Sequence, residues 1–337
     1  MTNLLIGLMG VLMATNQLAA ATNFVSQTTG INVSVPNTND PVEMEYEKLL
    51  AADNAAQGEV DGWIRENQKF ADKGGGVPAG ELNARIRNRF DSVTKGYEDF
   101  IAKHPDHARV RLAYGSFLND INREDDAVPQ FEKARELDPK NPAPWNQLAN
   151  YYGHKGPVKK AFEYYAKAIE LDPKEPVYYQ NMGTTVYLFR KDAKEFYDIN
   201  EQQVFDKALA LYNQAMKLDP QNFELAQDVA QTYYGIRPPR TEEALKAWTN
   251  CLNLAQAPLE REGVYLHLAR WKLNDGRFAE AHQHLSMVTN PMYNDLKARL
   301  LRNLKKRENP DSTNELAPKT DINQSTQSEA GKPAPKP

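Results

Sequence analysis

The segment Pro142–Glu175 reads PAPWNQLANYYGHKGPVKKAFEYYAKAIELDPKE. Its triplet Leu171-Asp172-Pro173 recurs as Leu137-Asp138-Pro139 and Leu218-Asp219-Pro220. The first two prolines lie 34 residues apart and the third lies 47 further on, which is 34 plus 13. Twelve residues before each proline stands an alanine (Ala127, Ala161, Ala208). Eight before it stands an aromatic residue (Phe131, Tyr165, Tyr212), and five before it a second alanine (Ala134, Ala168, Ala215). Small residues at these places let two helices approach closely, and the large ones fill the space beside the crossing. The triplet stops a helix, because the residue before a proline avoids the helical region. Asn141-Pro142 and Glu175-Pro176 put proline at a first helical position, where its missing N–H costs nothing.

A helix–turn–helix unit of this length and phasing resembles the tetratricopeptide repeat (TPR). Trp145, Leu148, Ala149 and Tyr152 fall on the first helix of the family pattern. Ala161, Tyr165 and Ala168 fall on the second, and Pro173 follows it. The resemblance implies an all-α fold, a TPR-type α-solenoid in which helix–turn–helix repeats build a right-handed superhelix. Five copies are predicted over 108–293: 108–141, 142–175, 176–222 with a 13-residue insertion, 223–257 and 262–293. The first copy has Arg111 and Tyr114 where the pattern has Trp and Leu. The fourth keeps Ala230, Tyr233, Ala244, Trp248 and Cys251, and the fifth keeps Leu268, Ala269, Ala281 and Leu285.

The flanks read as helices too. Residues 42–107 are predicted to form a helical pair, an irregular repeat, since Pro105 lies 34 before Pro139. Residues 294–307, with Leu296, Leu300, Leu301 and Leu304 on one face, read as the capping helix that closes the last hydrophobic face. In the insertion, Asn200 with Gln203 three residues on predicts an early start of the following helix. That leaves Arg190–Ile199 as an insertion loop, in which Phe196 and Tyr197 either plug the joint or stand at the rim of a groove as an aromatic contact.

The ends fall outside the repeats. Leu4–Ala14 is a short apolar run, followed by Ala19-Ala20-Ala21, the pattern of a signal peptide over 1–21. It implies an exported chain, periplasmic or secreted, with an uncleaved membrane anchor as the alternative. Residues 22–41 read as a flexible linker. Residues 308–337, with five prolines and no aromatic residue, read as a disordered tail.

Composition narrows the function. The 41 basic and 45 acidic residues leave a net charge of −4, against general nucleic-acid binding. The mean hydropathy of −0.69 excludes a polytopic membrane protein. The single cysteine, Cys251, excludes an intrachain disulfide and a multi-cysteine zinc site, and in its repeat slot it reads as a packed thiol. His104-Pro-Asp-His107 reads as a solvated turn, and His282 and His284 point apart on a helix. No P-loop, nucleophile elbow, zinc-protease or dinucleotide motif occurs. The sequence therefore predicts no catalytic residue, no metal and no cofactor.

The resemblance implies a groove lined by the first helix of each repeat. Its predicted lining is Asn146, Gln147, Asn150, Gln180, Asn181, Thr184, Gln227 and Gln231. Some family members clamp a peptide carboxylate with a Lys/Asn/Lys/Arg set. The corresponding places here hold Leu112, Ser116, Asn146 or Asn150, Val177 and Asn181, so the cations are missing. An asparagine ladder, bonding an extended peptide backbone through N–H and C=O together, fits the amides better. The expected function is a non-enzymatic protein–protein interaction scaffold for a protein or peptide partner. No nucleic acid and no small-molecule substrate is expected, and membrane contact only through the N-terminal segment. The alternative is a structural or assembly component of a cell-envelope complex that uses its outer faces and termini.

Overall fold

The computed structural model describes residues 40–309, Lys73 excepted. The predicted signal segment, most of the linker and nearly all of the predicted tail lie outside the described residues. Among the described residues there are fourteen α-helices and no strand. They are α1 (Pro41–Ala71), α2 (Ala79–Lys103), α3 (Ala108–Asp120), α4 (Glu124–Leu137), α5 (Pro142–Lys155), α6 (Val158–Leu171), α7 (Pro176–Leu188), α8 (Arg190–Tyr197), α9 (Glu201–Leu218), α10 (Phe223–Thr232), α11 (Thr241–Leu254), α12 (Pro258–Asn274), α13 (Phe278–Ser286) and α14 (Asn294–Glu308). None of them is long and apolar enough to cross a membrane.

Two compact units divide the chain, one ending at Ile236 and the other beginning at Arg237. The division falls inside the 223–257 copy, with α10 before it and α11 after it. In the first unit α3 pairs with α4, α5 with α6 and α7 with α9. The hairpins stack in order, α4 on α5, α6 on α7 and α9 on α10, and the α1–α2 hairpin packs against α3. In the second unit α11 packs on α12, α12 on α13, and α14 on both α12 and α13.

The phased residues do what their sizes require. Ala127, Ala161, Ala208, Ala244 and Ala281 have no exposed surface at all. Four residues on, Phe131, Tyr165, Tyr212, Trp248 and Leu285 are buried, and three further on so are Ala134, Ala168, Ala215, Cys251 and Val288. One small–large–small rhythm thus runs through α4, α6, α9 and α11, while α13 keeps the first two places and Val288 lies just beyond its end. Burial pushes the Cys251 thiol up to about 12, so it stays a neutral packing group. On the first helices the closest approach is at Gly115, where an added Cβ would stand 2.5 Å from a carbon of the Phe131 ring.

Side chains ahead of the first helices satisfy their free N–H groups. Asn141 accepts from the Ala143 N–H at 3.0 Å, Glu175 from Val177 at 3.2 Å and Asn222 from Leu225 at 2.9 Å. The aromatic residue on the first turn returns a bond to the preceding Leu-Asp-Pro triplet. Trp145 Nε1 donates to the Pro139 carbonyl at 3.3 Å, and Tyr179 Oη to that of Pro173 at 3.1 Å.

The insertion corrects one expectation. Arg190–Tyr197 is a helix, α8, and not part of a loop; it ends at Asp198, which takes the left-handed conformation with φ of 51°. Eight residues do not hold a helix by themselves. Packing holds this one, because Ala193 is buried and Phe196 and Tyr197 lie on Phe162 of α6, with ring centroids 5.3 and 5.5 Å away. Lys207 Nζ sits 4.0 Å from the Tyr197 ring centroid. The cap at Asn200 forms as expected. Asn200 Oδ1 accepts from the Gln203 N–H at 3.0 Å, and the Gln203 side chain accepts from the Asn200 N–H at 2.9 Å.

Candidate functional site

Stacking places equivalent positions of α5, α7 and α10 in three rows, each spaced by 34 and then 47 residues. The rows are Asn146, Gln180, Gln227; Gln147, Asn181, Asp228; and Asn150, Thr184, Gln231. All eight predicted groove residues belong to these rows. The ninth member, Asp228, is a carboxylate that the same spacing places on this face.

The rows are bonded across the repeats in a regular way. Asn181 Nδ2 donates to Asn146 Oδ1 at 3.1 Å, and Gln180 Nε2 donates to Asp228 Oδ2 at 2.8 Å. Each bond joins the first row in one repeat to the second row in the next. In the third row Asn150 and Thr184 turn inward to the phased tyrosines of the second helices. Tyr165 Oη donates to Asn150 Oδ1 at 2.7 Å, and Thr184 Oγ1 pairs with Tyr212 Oη at 2.8 Å. Burial raises both tyrosines, Tyr165 to about 12, so at neutral pH these hydroxyls keep their protons. Within α5, Asn150 Nδ2 also donates to Gln147 Oε1 at 3.2 Å.

These bonds sort the predicted residues. Asn146 is 7% exposed and Asn150 uses both ends of its carboxamide, so these two mainly hold the stack. Gln147, Gln180 and Asn181 are half-buried and each spends one end of its amide, the oxygen of Gln147 and the nitrogen of the other two. The opposite end stays available. Gln227 is half-buried and Gln231 exposed. Phe196 and Tyr197 do not join this set, because their rings pack on Phe162. Among the described residues no group of three potential metal ligands comes together.

The TPR family model matches residues 143–175, the same copy that carries the full pattern. Among curated proteins, none matches the chain in sequence. The C-terminal part of a TPR repeat-containing protein from Cytophaga hutchinsonii superposes with a TM-score of 0.50 at 14% identity, covering 76% of this chain and 98% of that one. PilW, a widely conserved type IV pilus biogenesis factor, gives 0.49 at 14% identity, over 65% of this chain and 94% of its own. YrrB, a TPR protein with an unusual peptide-binding site, gives 0.46 at 15% identity, over 64% and 99%. The fold is a TPR-type α-solenoid. Identities this low establish the fold and leave the partner open.

Proposed function

We propose that the chain is a non-enzymatic scaffold that holds an extended polypeptide along the first-helix face of α5, α7 and α10. The observation that carries this is the half-used state of Gln147, Gln180 and Asn181. One end of each amide is fixed by an internal bond, and the other end is left for a backbone N–H or C=O. A carboxamide already oriented loses less rotamer freedom on binding than a free surface glutamine. Neutral amides also suit a peptide backbone, which presents alternating donors and acceptors and no charge. The apolar run at Leu4–Ala14 supports an exported scaffold, so the polypeptide would be met outside the cytoplasm.

The test is capture of partners from cell-envelope extracts by the wild-type chain and by a Gln147→Ala, Gln227→Ala, Gln231→Ala triple variant. These three residues make none of the inter-repeat bonds, so the fold should persist. Loss of the captured polypeptide with unchanged circular dichroism supports the reading. Equal capture by both proteins refutes it.

A further inference from the structure

Helix α14 carries two kinds of cation. Lys297 and Arg307 serve the packing: Lys297 Nζ donates to the Val288 carbonyl at 2.6 Å and Arg307 Nη1 to the Leu273 carbonyl at 3.2 Å. Arg299, Arg302, Lys305 and Lys306 do not. All four are exposed, and among the described residues none has an acidic partner. Their spacing gathers them on the side away from Leu296, Leu300, Leu301 and Leu304, which pack into the core with residues of α12 and α13. The acids on this helix stand at its ends: Asp295 in the first turn, and Glu308 3.5 Å from His282. Elsewhere some surface cations sit beside an acid three residues away, as Lys133 does with Glu136 and Lys167 with Glu170.

The helix is therefore fixed by its apolar face and holds four unneutralised cations outward, on a chain whose net charge is −4. The turn leading into it exposes Met287 and Met292, at 53% and 72%. We propose that this face of α14 docks on an anionic lipid surface, with the four cations over the headgroups. The outer face of a single helix is convex and cannot enclose a peptide, whereas a layer of headgroups needs no groove. Lys and Arg stems bring charge to such a layer. Because the leucines of α14 are already committed to the core, the helix does not sink into the acyl region. The attachment is electrostatic, reversible and weakened by salt.

Each Lys or Arg near an anionic leaflet is worth about fivefold in partitioning, so removing four lowers binding by at least tenfold. The test is sedimentation of the full chain with phosphatidylcholine vesicles, with and without phosphatidylglycerol. The variant replaces Arg299, Arg302, Lys305 and Lys306 with glutamine, and a control variant does the same at Lys140, Lys174, Lys191 and Lys246. Glutamine keeps helix propensity, and circular dichroism checks that both variants fold. The proposal expects wild type and control to bind only the phosphatidylglycerol vesicles, to be released by salt, and the α14 variant to bind at least tenfold more weakly. Equal binding of wild type to both vesicle types overturns it, as does an α14 variant that binds like the control. If wild type ignores the vesicles but is retained by immobilised polyglutamate, the face serves an acidic protein and the lipid proposal is wrong.

Discussion

Replacing Gly115 with alanine tests how closely α3 must approach α4. The added Cβ would lie 2.5, 2.7 and 2.9 Å from three carbons of the Phe131 ring, where carbon atoms prefer about 3.5–4.0 Å. Phe131 is 1% exposed and belongs to a core with Tyr114, Phe117, Leu118 and Leu148, so its ring has no free space to swing into. Helix propensity favours alanine over glycine by about 1 kcal/mol. Overpacking a tight core costs about 1–3 kcal/mol, and overlap with three ring atoms belongs at the upper end of that range. The net loss is then about 2 kcal/mol. For a unit of this size 1 kcal/mol moves the melting temperature by about 2–4 °C, so a fall of about 4–8 °C is expected. Gly153→Ala is the matched control. It too is buried in a first helix, but the nearest atom to its new Cβ, Thr185 Oγ1, would be 3.6 Å away. Propensity wins there, and stability should rise by up to about 1 kcal/mol. Thermal and urea unfolding followed by circular dichroism read both variants. A Gly115→Ala chain as stable as wild type would refute the reasoning.

The joint at α8 gives a second prediction. Phe196→Ala with Tyr197→Ala should cost about 2 kcal/mol or more in stability and leave affinity for a captured polypeptide unchanged. Tyr197→Phe should be neutral or stabilising in urea unfolding, because the buried Tyr197 hydroxyl has no hydrogen-bond partner among the described residues. In the second unit, His267 stacks on Trp248 at 3.9 Å, and burial, helped by Arg270, depresses it to about 4. Its folded value lies below its unfolded one, so its contribution is complete above about pH 6.5 and is lost as pH falls toward 4. The loss is about 3 kcal/mol at most, and His267→Gln should flatten the fall in melting temperature over that range. N-terminal sequencing of the chain from its native host should give Thr22 as the first residue; an intact Met1 would remove the case for a cleaved signal.

The second helices were legible because their rule is steric and local. Ala127-Phe131-Ala134 and its later copies announce a crossing wherever they stand, and Ala244-Trp248-Cys251 keeps the same small–large–small order after the motif letters have gone. The cap at Asn200 was legible for a similar reason, since it acts within three residues of itself. Helix α8 was not. Arg190–Tyr197 is too short for a period to show, and what makes it helical is Phe162, nearly thirty residues earlier. The groove residues were readable as a list but not as a network. The partners of Asn146 and Gln180, which are Asn181 and Asp228, lie one repeat away, and their pairing depends on the stacking register. The break at Ile236 had a local sign in Pro238-Pro239, yet two prolines mark a connection and not the edge of a compact unit.

The most direct test of the scaffold reading is site-specific photocrosslinking in the native host. A photoreactive amino acid is placed at Gln147 or Gln231 on the first-helix face, and at the exposed residues Glu163 of α6 or Asn213 of α9 on the second helices. Adducts to a polypeptide at Gln147 and Gln231, with none at Glu163 and Asn213, are the predicted result. Adducts confined to Glu163 and Asn213 would show that the partner docks on the second helices, and would contradict the account.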